Sequence, residues 1–160
     1  MWDNVRDSLL QSYPWNFAIK LASIAVDGTA PAWGYDRRYL LPTDFLNLLS
    51  IKEDPDYRII GKYIHTDASA PLKIKYTARI ESAGQFDPLF AEALAATIAV
   101  EICEVLTQSN TKKQMLIAER DRTIANAYAA DAIQDPPQEL TDSEWLKARN
   151  NYMDTIDYNA

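Results

Sequence analysis

The sequence predicts a mainly α protein: a helical bundle with a small three-stranded antiparallel β meander and an extended C-terminal tail. Three observations predict it. Apolar residues recur at helical spacing through the first 25 residues and again over 88–133. Between these regions, 72–80 alternates apolar and polar residues as a half-buried strand does. Pro136-Pro137 then ends the helical pattern, and the last ten residues carry aromatics without periodicity. A length of 160 residues with 48% apolar content suits one domain with a real core, taken here as 1–150, followed by the tail 151–160.

Each element has its own local warrant. Residues 2–12 read as a helix because Trp2, Val5, Leu9 and Leu10 fall on one face. Pro14 restarts the chain, and Phe17, Ala18, Leu21, Ala22 and Ala25 continue helical spacing over 15–25 until Asp27-Gly28 closes it. Residues 29–42 connect, with a short extended piece around Tyr39 and Leu41. Thr43 or Asp44 is placed to cap a helical turn holding Phe45, Leu46, Leu48 and Leu49. After the polar turn 53–56, Gly61-Lys62 between 57–60 and 63–66 is a hairpin signal. Asp67 to Pro71 makes a second turn. The strand that follows sets Leu72, Ile74, Tyr76, Ala78 and Ile80 on one face, completing the meander at 57–80.

Asp87-Pro88 opens a helix along Phe90, Leu94, Ile98, Ile102 and Val105. Alanines at 91, 93, 95, 96 and 99 make its other faces small, which suits a bundle centre or a subunit interface. Ser109-Asn110 separates it from a helix at 111–133, striped by Leu116, Ile117, Ile124, Tyr128, Ala132 and Ile133 with Glu119, Arg120, Asp121 and Arg122 facing water. Thr141-Asp142-Ser143-Glu144 supplies a capping box for a last short helix at 143–150.

Composition narrows the chemistry. The longest greasy stretch, 91–106, is interrupted by Glu92, Glu101 and Glu104, so no apolar run reaches the roughly 20 residues that span a bilayer. The N-terminus lacks a basic-then-apolar leader, which points to a soluble chain made in the cytoplasm. The single cysteine, Cys103, reads as a small buried hydrophobe, and the single histidine, His65, as a surface or edge-strand residue. No cofactor or metal is expected. Residues 91–160 hold 6 basic and 12 acidic side chains, a net of −6, against 10 and 11 in residues 1–90, a net of −1. Such an acidic half does not grip nucleic acid, although DNA passes a negative surface without sticking. No phosphate loop, Ser-His-Asp set or Cys-His pair stands out, so no catalytic residues are named and the chain is read as a non-enzyme.

Four stretches carry a resemblance. They are Arg6-Asp7-Ser8-Leu9-Leu10 with Tyr13-Pro14-Trp15-Asn16-Phe17-Ala18; then Tyr39-Leu40-Leu41-Pro42-Thr43-Asp44-Phe45-Leu46; then Gly61 to Asp67 with Ile74-Lys75-Tyr76, Phe86-Asp87-Pro88-Leu89-Phe90 and Ala93-Leu94; and Ser143-Glu144-Trp145-Leu146-Lys147-Ala148-Arg149. In this order and spacing, over residues 5–149, the chain resembles the tail tubular protein A-like head–tail adaptors of podoviruses. Adaptors of this family carry a further helical segment ahead of the first stretch.

The resemblance implies a mainly helical virion protein with a small β-hairpin module. It implies a homo-oligomeric ring of twelve copies between the portal protein and a downstream tail tube or nozzle protein. Genomic DNA passes through such a ring without specific binding, and no membrane is involved. It makes the tail a docking arm for the portal, with Tyr152, Met153, Ile156 and Tyr158 as candidates. Trp145 either fills the core or begins the portal contact. Lys62, Lys73 and Lys75 are candidates for lining the channel or meeting the downstream protein, against the plainer reading that they solvate an edge strand. Trp15 and Phe17 are expected in the core rather than in a recognition patch. Two other readings stand beside the adaptor: a tail-associated cell-wall hydrolase, and a monomeric helical interaction module.

Overall fold

A computed structural model describes residues 1–107 and 109–134. In order, these form helix α1 (Trp2–Ser12), strands β1 (Ile19–Ile24), β2 (Arg37–Leu40), β3 (Phe45–Ile51), β4 (Tyr57–Ile60), β5 (Tyr63–Thr66) and β6 (Leu72–Ala78), then helices α2 (Pro88–Thr107) and α3 (Asn110–Ile133). The fold is therefore mixed α/β: three helices with two three-stranded antiparallel sheets, ordered β1-β6-β3 and β2-β5-β4. The β content exceeds both the sequence expectation and what the adaptor resemblance implies. The predicted helix at 143–150 and the tail 151–160 lie outside the described residues.

Several elements stand as the sequence predicts. Helix α1 stops at Tyr13, whose extended backbone is the conformation favoured before a proline. Gly61, with φ near +61°, makes the β4–β5 turn. The side chain of Asp87 accepts the Leu89 N–H at 2.9 Å at the start of α2, and Ser109 accepts the Lys112 N–H as the N-cap of α3. Leu72, Ile74, Tyr76, Ala78 and Ile80 are all buried.

Three elements differ, each for a physical reason. The helix expected over 15–25 is a short 3-10 turn (Asn16–Ala18) followed by β1. The turn inserts three residues of helical rise, so in sequence Phe17 and Ala18 run on into the spacing of Ala22 as a helix would. In the strand, Ala22 and Ile24 pack inward and Leu21 points out, 81% exposed. Replacing Leu21 with serine is therefore expected to change the unfolding free energy of the dilute chain by no more than about 0.5 kcal/mol, the usual limit for a surface site. A loss of about 2 kcal/mol or more in urea titration, as for a core leucine, would contradict the strand.

The helical turn expected at 45–49 is β3. Its register against β6 slips between Phe45 and Asn47 and again between Leu48 and Ser50. Each slip is a bulge that adds one residue to β3 without advancing β6. Phe45, Leu48 and Ile51 therefore meet Ala78, Tyr76 and Ile74. A spacing of two on β6 becomes a spacing of three on β3, which in sequence imitates a helix.

The meander over 57–80 is also corrected. The β4–β5 hairpin exists, but its third strand is β2. The turn after β5 carries the chain to the other sheet, where β6 lies between β1 and β3. The two sheets and the helices share one core. Tyr39 and Ile64 come from one sheet, Leu72, Ile74 and Tyr76 from the other, and Leu9, Leu10, Phe90, Leu94 and Ala127 from the helices. Trp15 is the aromatic hub, 1% exposed, edge-on to Phe90 at 4.9 Å and to Tyr13 at 5.2 Å. Its Nε1–H donates to the Leu9 carbonyl at 2.9 Å. The α3 stripe ends differently from the pattern: Ala132 and Ile133 are exposed, and Asp131 is buried instead.

Candidate functional site

The strict alternation of β6 that buries Ile74 and Tyr76 sends Lys73 and Lys75 to the opposite, open face. Register sets Ser23 beside Lys73, and Leu21 and Ser50 on either side of Lys75. Lys52 joins them, its N–H donating to the Lys73 carbonyl at 2.9 Å. These six residues line a shallow depression of about 510 Å³. Lys52 has a loose exposed contact to Glu53 at 3.9 Å, while Lys73 and Lys75 have no ion pair among the described residues. The face combines an exposed leucine with uncompensated cations. It is chemically suited to an acidic surface with an apolar contact at its middle.

Lys62 does not belong to this face. It sits at the β4–β5 turn of the other sheet, where its carbonyl accepts the Leu41 N–H. The three candidate lysines therefore do not share one face. Nor do Lys73 and Lys75 solvate an edge, because β6 is the central strand of its sheet. His65 is likewise on a central strand, β5, half-buried between Arg38 and Arg58 in register. In the next row Leu40, Tyr63 and Ile60 pair across the same face, and the Arg38 guanidinium lies 4.5 Å from the Tyr63 ring centre while bonding Asp27 at 2.8 Å. Strand β4 is exposed along its whole length.

The helices offer a second surface. Helix α2 buries Phe90, Ala93 and Leu94 but leaves Ala91, Ala95 and Ile102 open. Of the two readings for a helix apolar nearly all round, the centre of a bundle does not hold among the described residues. Trp2, 47% exposed, joins Ala91, Ala95, Ile98 and Ile102 around an apolar depression of about 360 Å³. Ala95 and Ala99 also line an adjoining groove of about 380 Å³ bordered by Glu92 and Glu119. Neither glutamate has an ion pair among the described residues.

The titratable cluster around Asp44 is structural. Asp44, expected as a possible helix cap, instead accepts from Lys20 Nζ at 2.7 Å and from the Tyr76 hydroxyl at 3.0 Å. Burial, reinforced by the hydrogen bond to the Asp44 carboxylate, pushes Tyr76 up to about 12. Burial acts to raise Asp44 as well, but the bonds from Lys20 and Tyr76 outweigh it and hold its carboxyl below the usual range. Both shifts move away from neutrality, so the tyrosine resists losing its proton and the carboxylate resists gaining one. That is the reverse of a general acid–base pair tuned to work near pH 7. Cys103 is buried, with its sulfur 3.3 Å from the Thr107 hydroxyl.

Asp131 ties the end of α3 to the start of the sheet. Its carboxylate accepts the Asn16 N–H at 3.1 and 3.2 Å, and its carbonyl accepts Asn16 Nδ2 at 2.8 Å. The end of α3 therefore lies beside the Tyr13-to-Ala18 stretch. The portal-docking candidates Trp145, Tyr152, Met153, Ile156 and Tyr158 lie outside the described residues. Sequence reasoning missed Leu21, Lys52, Asp44 and Asp131. Asp44 and Leu21 carried sequence signals, but for a helix cap and a helix face, and Lys52 and Asp131 carried none. No helix among the described residues is long and apolar enough to cross a membrane. The chain matches no protein-family model, and comparison with curated proteins finds no relative.

Proposed function

We propose that this chain is a structural head–tail adaptor of a short-tailed bacteriophage, a ring subunit seated between portal and tail proteins that lengthens the DNA channel. The observation that carries the reading is the ordered set of four stretches between Arg6 and Arg149 that resembles the podovirus adaptors. Two of them have structural parts in the fold. Trp15 and Asn16 of the first stretch hold α1 and the end of α3 together, and Asp44 of the second locks β6 through Tyr76. The role is mechanical: twelve copies hold one another, grip the portal above, seat the tail tube or nozzle protein below, and let genomic DNA pass an acidic, unsticky wall. Ring closure ties each subunit twice, so modest pairwise contacts suffice. Lys62, at a hairpin tip, is suited to the tail-side contact.

The test is addition of the purified chain to portal-bearing particles, with copies per particle and symmetry read by electron microscopy. Twelvefold density on the portal is expected. A chain that remains a monomer of 18.1 kDa and ignores the portal sinks the reading. In the same assay, a variant lacking 151–160 is expected to keep the circular dichroism and melting curve of the full chain while losing at least tenfold in particle binding. Undiminished binding by that variant removes the docking arm and leaves the ring standing.

A further inference from the structure

The open face of the β1-β6-β3 sheet and the open face of α2 are each incomplete, and each has what the other lacks. The sheet face presents Lys52, Lys73 and Lys75 around the protruding Leu21. The helix face presents Glu92 and Glu119 beside an alanine-floored apolar hollow edged by Trp2 and Ile102. Lys73, Lys75, Glu92 and Glu119 all stand without an ion pair among the described residues, although the chain uses such pairs freely elsewhere, at Lys20–Asp44 and Arg79–Asp7 for example. We infer that the occupant of the sheet face is a second copy of this chain, which docks its α2 face there: Leu21 enters the alanine hollow, and Lys73 and Lys75 meet Glu92 and Glu119.

The two faces are different patches of one molecule, so the contact is heterologous. A heterologous contact repeats from copy to copy and closes into a ring when its rotation allows. Charge complementarity sets the register and rejects the alternatives, because sheet against sheet would juxtapose lysines and helix against helix would juxtapose glutamates. The small side chains at 91, 95 and 99 let the partner backbone come close, which explains why an exposed helix face here is apolar but not bulky. Lys73 and Lys75 are thereby taken out of the channel and placed between subunits. This inference rests on the ring proposed above and specifies which surfaces build it.

A charge-swap experiment on the full chain tests it. Two variants are made, K73E/K75E and E92K/E119K, each checked for an unchanged melting curve, which exposed sites should give. Assembly is followed by sedimentation and on portal-bearing particles. The wild type is expected to reach about 217 kDa, twelve copies of 18.1 kDa, and each variant alone to fall to the monomer. Mixed in equal amounts, the two variants are expected to assemble again. In the mixture every sheet face meets a helix face of opposite sign, and an even-numbered ring lets the two alternate.

Four results overturn the inference. Rings from either variant alone, or failure of the mixture when each variant alone is monomeric, rule out this pairing while leaving the adaptor ring intact. Loss of portal binding by K73E/K75E with its ring preserved assigns the face to the portal instead. A wild type that forms no ring under any condition rejects both the pairing and the ring.

Discussion

Replacing Trp15 with alanine is expected to remove about 3–5 kcal/mol of stability, the range for a large aromatic lost from a closed core. The side chain is 1% exposed and touches the rings of Tyr13, Phe17, Phe90 and Tyr128, so α1, α2 and α3 all meet on it. Its indole N–H also donates to the Leu9 carbonyl near the end of α1; alanine removes that bond and leaves the carbonyl to the Ser12 hydroxyl, which donates to it at 2.8 Å. For a chain of this length the loss corresponds to a fall in melting temperature of roughly 10 °C or more. Trp15→Phe separates the two contributions, since it keeps most of the aromatic packing and loses the hydrogen bond. A recognition-patch tryptophan would behave otherwise. A melting temperature within about 1 °C of wild type for the alanine variant would show that the core is not built on this residue.

Alkaline solution is expected to weaken the fold through Tyr76. Its folded-state value is about 12, above the ordinary value of about 10 that it takes in the unfolded chain. Between those two values the folded state holds a proton that the unfolded state has released, so stability falls as pH rises. The contribution is complete below pH 10 and disappears as pH climbs through the folded value. Two units at roughly 1.4 kcal/mol each give about 2–3 kcal/mol in all. The Tyr76 ring is buried, but its hydroxyl bonds an Asp44 side chain that is 30% exposed, so solvent screening makes this figure an upper bound. Urea unfolding at pH 8 to 12 should show wild type losing that amount relative to Tyr76→Phe, whose ring cannot ionise. Parallel curves for the two proteins would refute the assignment. Asp44 acts in the opposite direction, because its carboxyl is held down by Lys20 and Tyr76. Its stabilisation is present above the ordinary carboxyl range and lost as pH falls through its lowered folded value. The Lys20–Asp44–Tyr76 cluster therefore confines the fold from both ends of the pH scale.

What the sequence discloses here is whatever is encoded between near neighbours. Gly61, the alternation of 72–80, Asp87-Pro88 and Ser109 each act within a few residues, and each is where the sequence predicts it. The failures have a common cause. The bulged β3 owes its spacing of three to β6, a strand more than twenty residues away, and nothing within Phe45–Ile51 reveals that partner. Helical spacing across 17–25 arises where a 3-10 turn joins a strand, and it rests on counting Leu21 as a core residue when it faces out. The same nonlocality divides the lysines. Alternation alone puts Lys73 and Lys75 on one face, but separating Lys62 from them requires knowing that β6 leaves the hairpin for another sheet. Lys52 enters the site only through that pairing as well.

The strand order β1-β6-β3 also governs how the chain comes into being. During synthesis β1 and β3 emerge before β6 exists, and neither has the other for a neighbour. Their backbone groups stay without their native partners until about residue 78 has left the ribosome, whereas the intervening β4–β5 hairpin needs only its own turn to close. The last of the described strands to be made is thus the keystone of the first, and a nascent chain halted before it carries two apolar strands with nothing yet to lie against.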